Sequence, residues 1–361
     1  MNNNILLAFI LAFIITFIAT PFVKNLAFKI GAVDIPKDNR RMHKRPTARL
    51  GGLGIFLGFI ISAIIFSHMN CELAGILIGC CIIVTLGVFD DIYALSAKLK
   101  LAIQLIAALC PVIAGVCIDF VRVPSFVSEY GSVGLGWAAI PVTMIWIVGI
   151  TNAINLLDGL DGLACGVSSI SALTLLCIAI IVGEPGVAFI TSALAGACFG
   201  FLPYNFNPAK LFMGDTGSLF LGFVLASISV QGLFKGYAVI SIAAPLLILG
   251  LPIFDTASAI LRRLKNHQPI MSPDRGHLHH RLIDAGFSQK QAVSTIYLLC
   301  IILCAAAVLL IATGAISWWV LLAVLLGFTL FLWLTPLFIE LRSEKEDSGS
   351  NYNKRNQEDK K

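Results

Sequence analysis

The residues of this sequence best suited to chemistry are aspartates that stand at the ends of long apolar segments. A carboxylate costs about 2.5–3.5 kcal/mol at the middle of a membrane span on insertion scales, so its position is informative. These aspartates come from separate segments, yet all fall at segment ends, which predicts a shared site at one face of a membrane. They are Asp90, Asp91, Asp158, Asp161, Asp215 and Asp255.

The adjacent pair Asp90 and Asp91 allows two interpretations. Neighbouring side chains on a helix diverge by about 100°, so both rarely bind one metal ion directly. One can bind a metal ion or a basic side chain while the other acts as a base. Alternatively, the pair is a solvated helix end balanced by Lys98 or Lys100.

Four polar side chains recur at every third position in the segment TNAINLLDGLDGLACG. Residues three apart share one face of a helix, so Asn152, Asn155, Asp158 and Asp161 predict a common polar face. The alternative is that an asparagine and an aspartate only cap a membrane span.

The segment FNPAKLFMGDTGSLFLG places Asp215 near the start of a predicted helix. Unpaired backbone N–H groups at a helix start favour an anion. Asp215 with a divalent cation would therefore suit a diphosphate, and a plain helix cap is the alternative.

A histidine-rich segment, SPDRGHLHHRLIDAG, predicts a helix that starts at Ser272-Pro273 and stops at Gly286. That helix would place a histidine pair and an arginine on one face, with His279 turned aside. The spacing is wrong for a structural zinc site, and His and Arg beside carboxylates suit phosphate recognition. A solvated amphipathic helix is the alternative. The residues on the predicted face are His277, His280 and Arg281.

Arg49 precedes the pair Gly51-Gly52 at the mouth of an apolar segment. This arrangement suits phosphate binding, although the basic residues of this region could also serve only to orient the chain in a membrane.

The composition excludes a cytosolic enzyme and a disordered scaffold. The chain has 361 residues, of which 58% are hydrophobic and 12% are charged, and its mean hydropathy is +0.91. A soluble domain normally carries about a quarter charged residues. We therefore predict an all-α polytopic membrane protein.

Eleven apolar blocks are long enough to cross a bilayer, which needs about 20 residues in a helix. All Lys and Arg residues except Arg122 and Lys235 fall in every second connection between these blocks or in the carboxy-terminal segment. The positive-inside rule then predicts an amino terminus outside, a carboxy terminus inside and catalytic loops on the cytoplasmic face. The blocks are 5–23, 51–68, 73–90, 101–118, 137–154, 162–182, 187–203, 216–234, 238–257, 291–313 and 317–339.

The predicted domain organisation is a membrane domain over 1–340 and a polar, disordered cytoplasmic tail over 341–361. The net charge of +5 is an orientation signal, and no soluble basic domain exists to bind nucleic acid. The ten cysteines show neither zinc spacing nor a paired external pattern, so they are interpreted as packing residues.

Together the aspartate, asparagine and histidine motifs resemble the polyprenyl-phosphate N-acetylhexosamine-1-phosphate transferase family. The motifs that carry the resemblance occur in family order over about residues 10–340: the Asp90-Asp91 pair, NAINLLDGLDG, FNPAKLFMGDTGS and GHLHHRL. The sequence is most similar to the branch that starts teichoic acid and related polysaccharide chains.

The resemblance implies a fold of ten or eleven helices and a Mg²⁺-dependent reaction in a bacterial plasma membrane, with Mn²⁺ as an alternative ion. An N-acetylhexosamine-1-phosphate, with N-acetylglucosamine as the default sugar, would pass from a UDP-sugar to undecaprenyl phosphate. The products would be undecaprenyl-diphosphate-N-acetylhexosamine and UMP. A homodimer is a further expectation. The particular sugar, the downstream polymer and the choice between direct attack and a covalent aspartyl intermediate stay open, with direct attack preferred.

The resemblance also implies roles for individual residues. Asp215, with Asn152, would bind Mg²⁺, and Asp90 would engage or deprotonate the lipid phosphate with Asp91 beside it. The catalytic set would be completed by Asp158 and Asp161. The substrate-binding set would comprise Asn152, Asn155, Asn205, Phe212 as a stacking partner of uracil, His277, His279, His280, Arg281, Lys98 and Arg49.

Two other functions are weighed. A phospho-N-acetylmuramoyl-pentapeptide transferase shares the aspartate motifs, but its loop has three consecutive histidines where this sequence has His277-Leu278-His279-His280. An ion-coupled transporter would place charges near mid-bilayer and show inverted repeats with broken helices, and neither is visible in the sequence.

Overall fold

The computed structural model describes residues 2–35, 46–122, 132–234, 243–269, 274 and 276–313. Helices dominate these residues, and the only strands in the described ranges form two short hairpins. The helices are α1 (Asn2–Ile30), α2 (Gly52–Phe66), α3 (Cys71–Tyr93), α4 (Ala97–Ile113), α5 (Ala139–Leu157), α6 (Leu163–Val182), α7 (Pro185–Asn205), α8 (Gly214–Ser229), α9 (Ala243–Ile248), α10 (Gly250–Lys265), α11 (Leu278–Asp284) and α12 (Gln289–Thr313).

Six helical segments in the described ranges are long and apolar enough to cross a membrane, and they contain α1, α3, α5, α6, α7 and α12. The chain is therefore a polytopic all-α membrane protein. Three further predicted spans fall on the shorter helices α2, α4 and α8, the last extended by a π-helical turn at Val230–Phe234. The predicted span 317–339 and the predicted tail 341–361 lie outside the described residues, and the predicted total of eleven spans and their orientation stay predictions.

The predicted span 238–257 is not one continuous helix, because its described part contains two helices. α9 ends at Ile248, and α10 begins at Gly250 and continues to Lys265. Pro252 has no N–H to donate to the carbonyl of Ile248, four residues earlier, so the helical ladder is interrupted there. The hydroxyl of Ser171 on α6 donates to that carbonyl at 3.2 Å, which satisfies the freed acceptor inside the bundle.

A short hairpin follows α4. Strands β3 (Phe120–Arg122) and β4 (Ser132–Gly134) pair antiparallel between α4 and α5. A second hairpin joins β1 (Val33–Asp34) and β2 (Thr47–Ala48) between α1 and α2.

Small residues bring α1 and α7 close together. A Cβ added at Gly196 or Gly200 would collide with the backbone carbonyls of Phe9 and Phe13, respectively. Gly196 and Gly200, four residues apart on α7, thus allow the close helix approach that is typical of small-xxx-small pairs.

Helix α8 lies at the centre of the bundle. Its residues after the first turn are buried, and it packs against α2, α3 and α5. Because α8 begins at Gly214, its first turn, which carries Asp215, meets the carboxy-terminal ends of α3 and α5 at one end of the bundle.

Candidate active site

The carboxylate of Asp91 caps the amino terminus of α8 from another helix. Its Oδ1 accepts from the backbone N–H of Asp215 at 3.0 Å, and its Oδ2 accepts from the N–H and the hydroxyl of Thr216 at 3.0 and 2.6 Å. The first N–H groups of a helix have no intrahelical acceptor, and a negative charge there is favoured by the helix dipole. The fully buried Asp91 side chain therefore holds α8 in register with α3.

Glycines permit this close approach of the three backbones. Gly214 has a φ of +71°, and a Cβ there would collide with the carbonyl oxygen of Arg49 and with both Asp91 carboxylate oxygens. A Cβ at Gly87 on α3 would collide with the backbone of Thr216. The positive φ and the lack of space both require glycine at position 214.

Two basic side chains neutralise part of the carboxylate charge. Lys100 Nζ on α4 lies 3.0 Å from Asp90 Oδ2 and 2.9 Å from Asp215 Oδ2. Arg49 Nε lies 3.3 Å from Asp91 Oδ1, and its Nη2 lies 3.9 Å from Asp215 Oδ1. The partly exposed Lys100 ammonium thus joins carboxylates of two different helices, α3 and α8.

Asp90 uses both of its carboxylate oxygens. Its Oδ1 accepts from the backbone N–H of Leu95 at 2.8 Å, where the chain turns from α3 into α4, while Oδ2 faces Lys100. This turn therefore fixes the direction of the Asp90 side chain toward the centre of the carboxylate cluster. The cluster comprises Asp90, Asp91, Asp158 and Asp215, with the cations of Lys100 and Arg49.

Asp158 adds a carboxylate without a hydrogen bond or ion pair to any described residue. It ends α5 at the turn that leads into α6, and its side chain is half-buried. Burial, and then the negative charges of Asp215 and Asp91, raise the pKa of Asp158 to about 7, although Arg49 opposes this shift. Its charge therefore changes close to neutral pH.

The two asparagines of α5 bind other helices. The Asn152 amide donates to Gln104 Oε1 on α4 at 2.6 Å and to the Val148 carbonyl at 2.8 Å. The Asn155 amide donates to Ser218 Oγ on α8 at 2.8 Å. These contacts position α5 against α4 and α8, and they pair the Asn152 side chain with Gln104 rather than with Asp215.

Asp161 and Asn205 hold the turn between α7 and α8. Asp161 Oδ2 accepts from the side-chain amide of Asn207 at 2.9 Å and from the backbone N–H of Ala209 at 3.0 Å. Asn205 accepts from the N–H of Gly162 at 3.2 Å and donates to the carbonyl of Leu211 at 3.1 Å. The contacts of both side chains favour a structural role over direct catalysis.

The histidine-rich helix is shorter than predicted. Helix α11 begins at Leu278, and Asp274, Gly276 and His277 before it are not helical, so the predicted start at Ser272-Pro273 is wrong; those two residues lie outside the described ones. The predicted stop is confirmed, because Gly286 has a φ of +83° and the α11 helix has ended before it.

The imidazole of His279 is buried against the turn between α5 and α6. A Cβ at Gly159 would overlap this ring, and both ring nitrogens are buried without a hydrogen bond in the described part of the chain. Burial, and then the neighbouring His280, lower the pKa of His279 to about 3. The neutral ring therefore docks α11 beside Asp158, and its ring lies 4.2 Å from that of His280.

Comparison with known proteins assigns the chain to a family. The model described as glycosyl transferase family 4 matches residues 73–233. A probable undecaprenyl-phosphate N-acetylglucosaminyl 1-phosphate transferase of Bacillus subtilis strain 168 is 44% identical over 85% of each chain. The chain belongs to glycosyl transferase family 4.

Two further relatives extend the comparison. A decaprenyl-phosphate N-acetylglucosaminephosphotransferase of Mycobacterium tuberculosis H37Rv is 36% identical over 78% of this chain and 76% of its own length. A phospho-N-acetylmuramoyl-pentapeptide-transferase of Caldicellulosiruptor bescii is 32% identical over 85% of this chain and 96% of its own length. The N-acetylglucosamine-phosphate transferases are thus the more similar of these relatives.

The carboxylates of this family 4 member suit Mg²⁺ bound together with a substrate. In the described residues, no group of three or more His, Cys, Asp or Glu side chains is arranged to hold a metal ion. Mg²⁺ is usually bound through one or two carboxylates, several waters and substrate phosphates. Asp90 and Asp215, which share one ammonium, supply such a pair, and Asp158 is a third carboxylate nearby.

The structure brings together most, but not all, of the predicted site. Lys98 is exposed and forms no ion pair with a carboxylate of the described residues, whereas Lys100 occupies the position between carboxylates that was expected of Lys98. The buried residues Gln104, Ala107 and Pro111 mark the inward face of α4. Lys100 continues that face at helical spacing, so the period of 3.6 residues distinguishes the two lysines.

Two predicted substrate-binding residues remain, Phe212 on the segment before α8 and Arg281 on α11. The backbone N–H of Phe212 donates to the Ala48 carbonyl at 2.8 Å, and its carbonyl accepts from Gly51 at 3.0 Å. These bonds place Phe212 beside the segment that carries Arg49. Arg281 is half-buried on α11.

Proposed function

We propose that this protein transfers N-acetylglucosamine-1-phosphate from UDP-N-acetylglucosamine to undecaprenyl phosphate, in the presence of Mg²⁺, as the first membrane step of a cell-wall polysaccharide such as teichoic acid. An oxygen of the lipid phosphate attacks the β-phosphorus of the UDP-sugar. The new P–O bond gives undecaprenyl-diphosphate-N-acetylglucosamine, and the bond to the α-phosphate oxygen breaks to release UMP.

The observation that carries this proposal is the position of Lys100 between Asp90 and Asp215 at one end of a membrane bundle. Phosphoryl transfer depends mainly on positioning and on stabilisation of charge. An ammonium held by carboxylates of two helices can exchange those partners for phosphate oxygens without moving far. Arg49 offers a second cation on the other side of Asp215.

The cluster has four carboxylates but only two cations, Lys100 and Arg49. This imbalance of charge supports a requirement for a divalent ion. Mg²⁺ would be held by Asp215 and Asp90, and when bound it would neutralise charge on the diphosphate of the donor. Asp158 would face the nucleotide-sugar from the turn after α5. Lys100 and Arg49 would orient the phosphates.

Direct attack by the lipid phosphate is favoured over a covalent aspartyl intermediate. Asp91 is fully buried and bound to the amino terminus of α8, so attack by its carboxylate would require those bonds to break. Asp90 has both oxygens engaged. The lipid phosphate is itself a competent nucleophile, because it is largely ionised near neutral pH.

The proposal is tested by incubating the purified full-length protein with undecaprenyl phosphate, Mg²⁺ and a panel of UDP-sugars that includes UDP-N-acetylmuramoyl-pentapeptide. We expect UMP and a lipid-linked sugar with UDP-N-acetylglucosamine. Product only with the muramoyl substrate would assign the protein to peptidoglycan synthesis instead. A folded preparation that releases no UMP with any donor would refute the proposal.

Two lysines of α4 provide a matched pair of variants for the same assay. Lys100→Ala should lower kcat/KM by about 100-fold or more, since it removes a preorganised charge beside the reacting phosphates. Lys98→Ala removes an exposed charge two residues away and should change kcat/KM by no more than about twofold. Equal losses in the two variants would contradict the proposed site.

A further inference from the structure

A buried carboxylate outside the cluster binds the histidine segment at two points. Asp255 on α10 is only 6% exposed. Its Oδ1 accepts from the backbone N–H of Leu278 at 2.8 Å, and its Oδ2 lies 2.8 Å from Nδ1 of His277. One side chain therefore caps the amino terminus of α11 and orients the imidazole next to it.

The same segment has a second, separate attachment to α10. Arg262 Nη2 lies 2.8 Å from Asp274 Oδ2, while Asp274 Oδ1 accepts from the N–H of Gly276 at 2.8 Å. Because this attachment also fixes the backbone before α11, Asp255 is not the only tie of the segment to α10. The contact to the His277 ring distinguishes Asp255 from Asp274.

His277 is linked to the candidate active site through stacked rings. Its ring lies parallel to that of His279, with centroids 5.8 Å apart and an interplanar angle of 11°. The His279 ring in turn packs on Gly159, the residue after Asp158. The orientation of His277 is thus set on one side by Asp255 and on the other by the turn that carries Asp158.

The contact with Asp255 also decides which ring nitrogen of His277 carries the hydrogen. An ionised carboxylate is only an acceptor, so the Nδ1–H tautomer is favoured. Nε2 then makes no hydrogen bond to any described residue and is the nitrogen left for a ligand. In many sites a carboxylate fixes the tautomer and orientation of a histidine whose other ring nitrogen binds a ligand or transfers a proton.

We infer that Asp255 is a positioning residue, which acts through His277 by holding its ring in the Nδ1–H tautomer with Nε2 directed to the phosphates of the nucleotide-sugar. The inference rests on the proposed function for the identity of that ligand. The geometry of the Asp255 carboxylate and the His277 ring does not depend on the proposed function.

Asp255→Asn is the decisive variant because it preserves shape and can preserve the cap. The amide oxygen can still accept from Leu278 N–H, whereas the amide NH₂ then faces Nδ1 and favours the opposite tautomer. We expect kcat/KM for UDP-N-acetylglucosamine to fall roughly tenfold or more. Asp274→Asn is the matched control and should change kcat/KM by no more than about threefold.

A double-mutant cycle separates positioning from a purely structural role. If Asp255 acts through His277, the double variant Asp255→Asn/His277→Ala should be no less active than His277→Ala alone. If the two fold-losses multiply, the carboxylate acts independently of the ring and the inference is overturned.

The ring itself gives a readout that does not depend on turnover. In ¹⁵N-histidine-labelled protein, whose six histidines are assigned by difference from His277→Gln, we expect His277 to carry its hydrogen on Nδ1 and to change tautomer in Asp255→Asn. A ring that carries its hydrogen on Nε2 alone in the unsubstituted protein would overturn the inference. Absence of UMP release by that protein would refute the proposed function alone, since the ring spectrum still tests the positioning role.

Discussion

At the scale of single residues, Asp158 is distinguished by a carboxylate that binds no described side chain and titrates near neutral pH. Its pKa of about 7 results first from burial and then from the nearby charges of Asp215 and Asp91. Asp91 and Asp161 differ from it, because their oxygens are occupied by backbone and side-chain donors. Among the predicted catalytic aspartates, Asp158 is thus the one whose carboxylate accepts no hydrogen bond from a described residue.

We predict that the transfer rate rises with pH through about 7 because Asp158 must be ionised to act on the donor substrate or its metal ion. Asp158→Asn should lower the rate and remove this rise, as measured by kcat/KM between pH 5.5 and 8.5. Any pH dependence that remains in the variant comes from other groups of the cluster or from the substrates.

As pH rises, the ionisation of Asp158 should raise activity but lower the stability of the fold. The effects on activity and on stability can therefore be separated. The pKa of Asp158 is raised above the ordinary value of 3.8, so its ionisation costs folding free energy progressively as pH rises from about 4 to 7. A rise in activity over this range therefore cannot come from stabilisation by Asp158. A rise of equal size in Asp158→Asn would contradict the assignment.

At the scale of elements, the amino terminus of α8 depends on close contact with α3 and with the segment before α2. Gly214 adopts a positive φ with no space for a side chain, whereas Gly183, between α6 and α7, has φ +80° and nothing within 4 Å of an added Cβ. The two glycines share the backbone requirement and differ in the space around them.

We predict that Gly214→Ala destabilises the protein by more than Gly183→Ala and reduces turnover. Both variants strain the backbone by about 1–2 kcal/mol, but only the new methyl at 214 displaces Asp91 from the first turn of α8. The measurements are the unfolding temperature in detergent and UMP release. Similar losses in both variants would show that the contact between Gly214 and Asp91 is not critical.

At the scale of the whole molecule, the cluster lies at one end of the bundle and the β3–β4 hairpin at the other. Lys100 is in the first turn of α4, which has 17 residues, and the hairpin follows its last turn. At 1.5 Å per residue, about 25 Å separate the ends of this helix, close to the thickness of a hydrocarbon core. The distribution of Lys and Arg predicts that the cluster end faces the cytoplasm.

This orientation can be measured by labelling with a membrane-impermeant maleimide. Lys98→Cys, in the exposed first turn of α4, should react only in inside-out vesicles. Trp137→Cys, where the native side chain is 87% exposed beside the hairpin, should react only in right-side-out vesicles. The parent chain, with ten cysteines, sets the background, and the reverse pattern would invert the predicted topology.

The amino-acid sequence by itself was sufficient for the membrane class, the long helices and the family, because these depend on local hydrophobicity and on contiguous motifs. Only the tertiary structure decided which side chains meet. It placed Lys100 rather than Lys98 between the carboxylates, assigned Asp91 to the cap of α8, divided the helix of the predicted span 238–257 at Leu249 and joined Asp255 to His277. Such contacts join residues up to 125 positions apart, as for Asp91 and Thr216, and the period of a single helix cannot specify its partner on another helix.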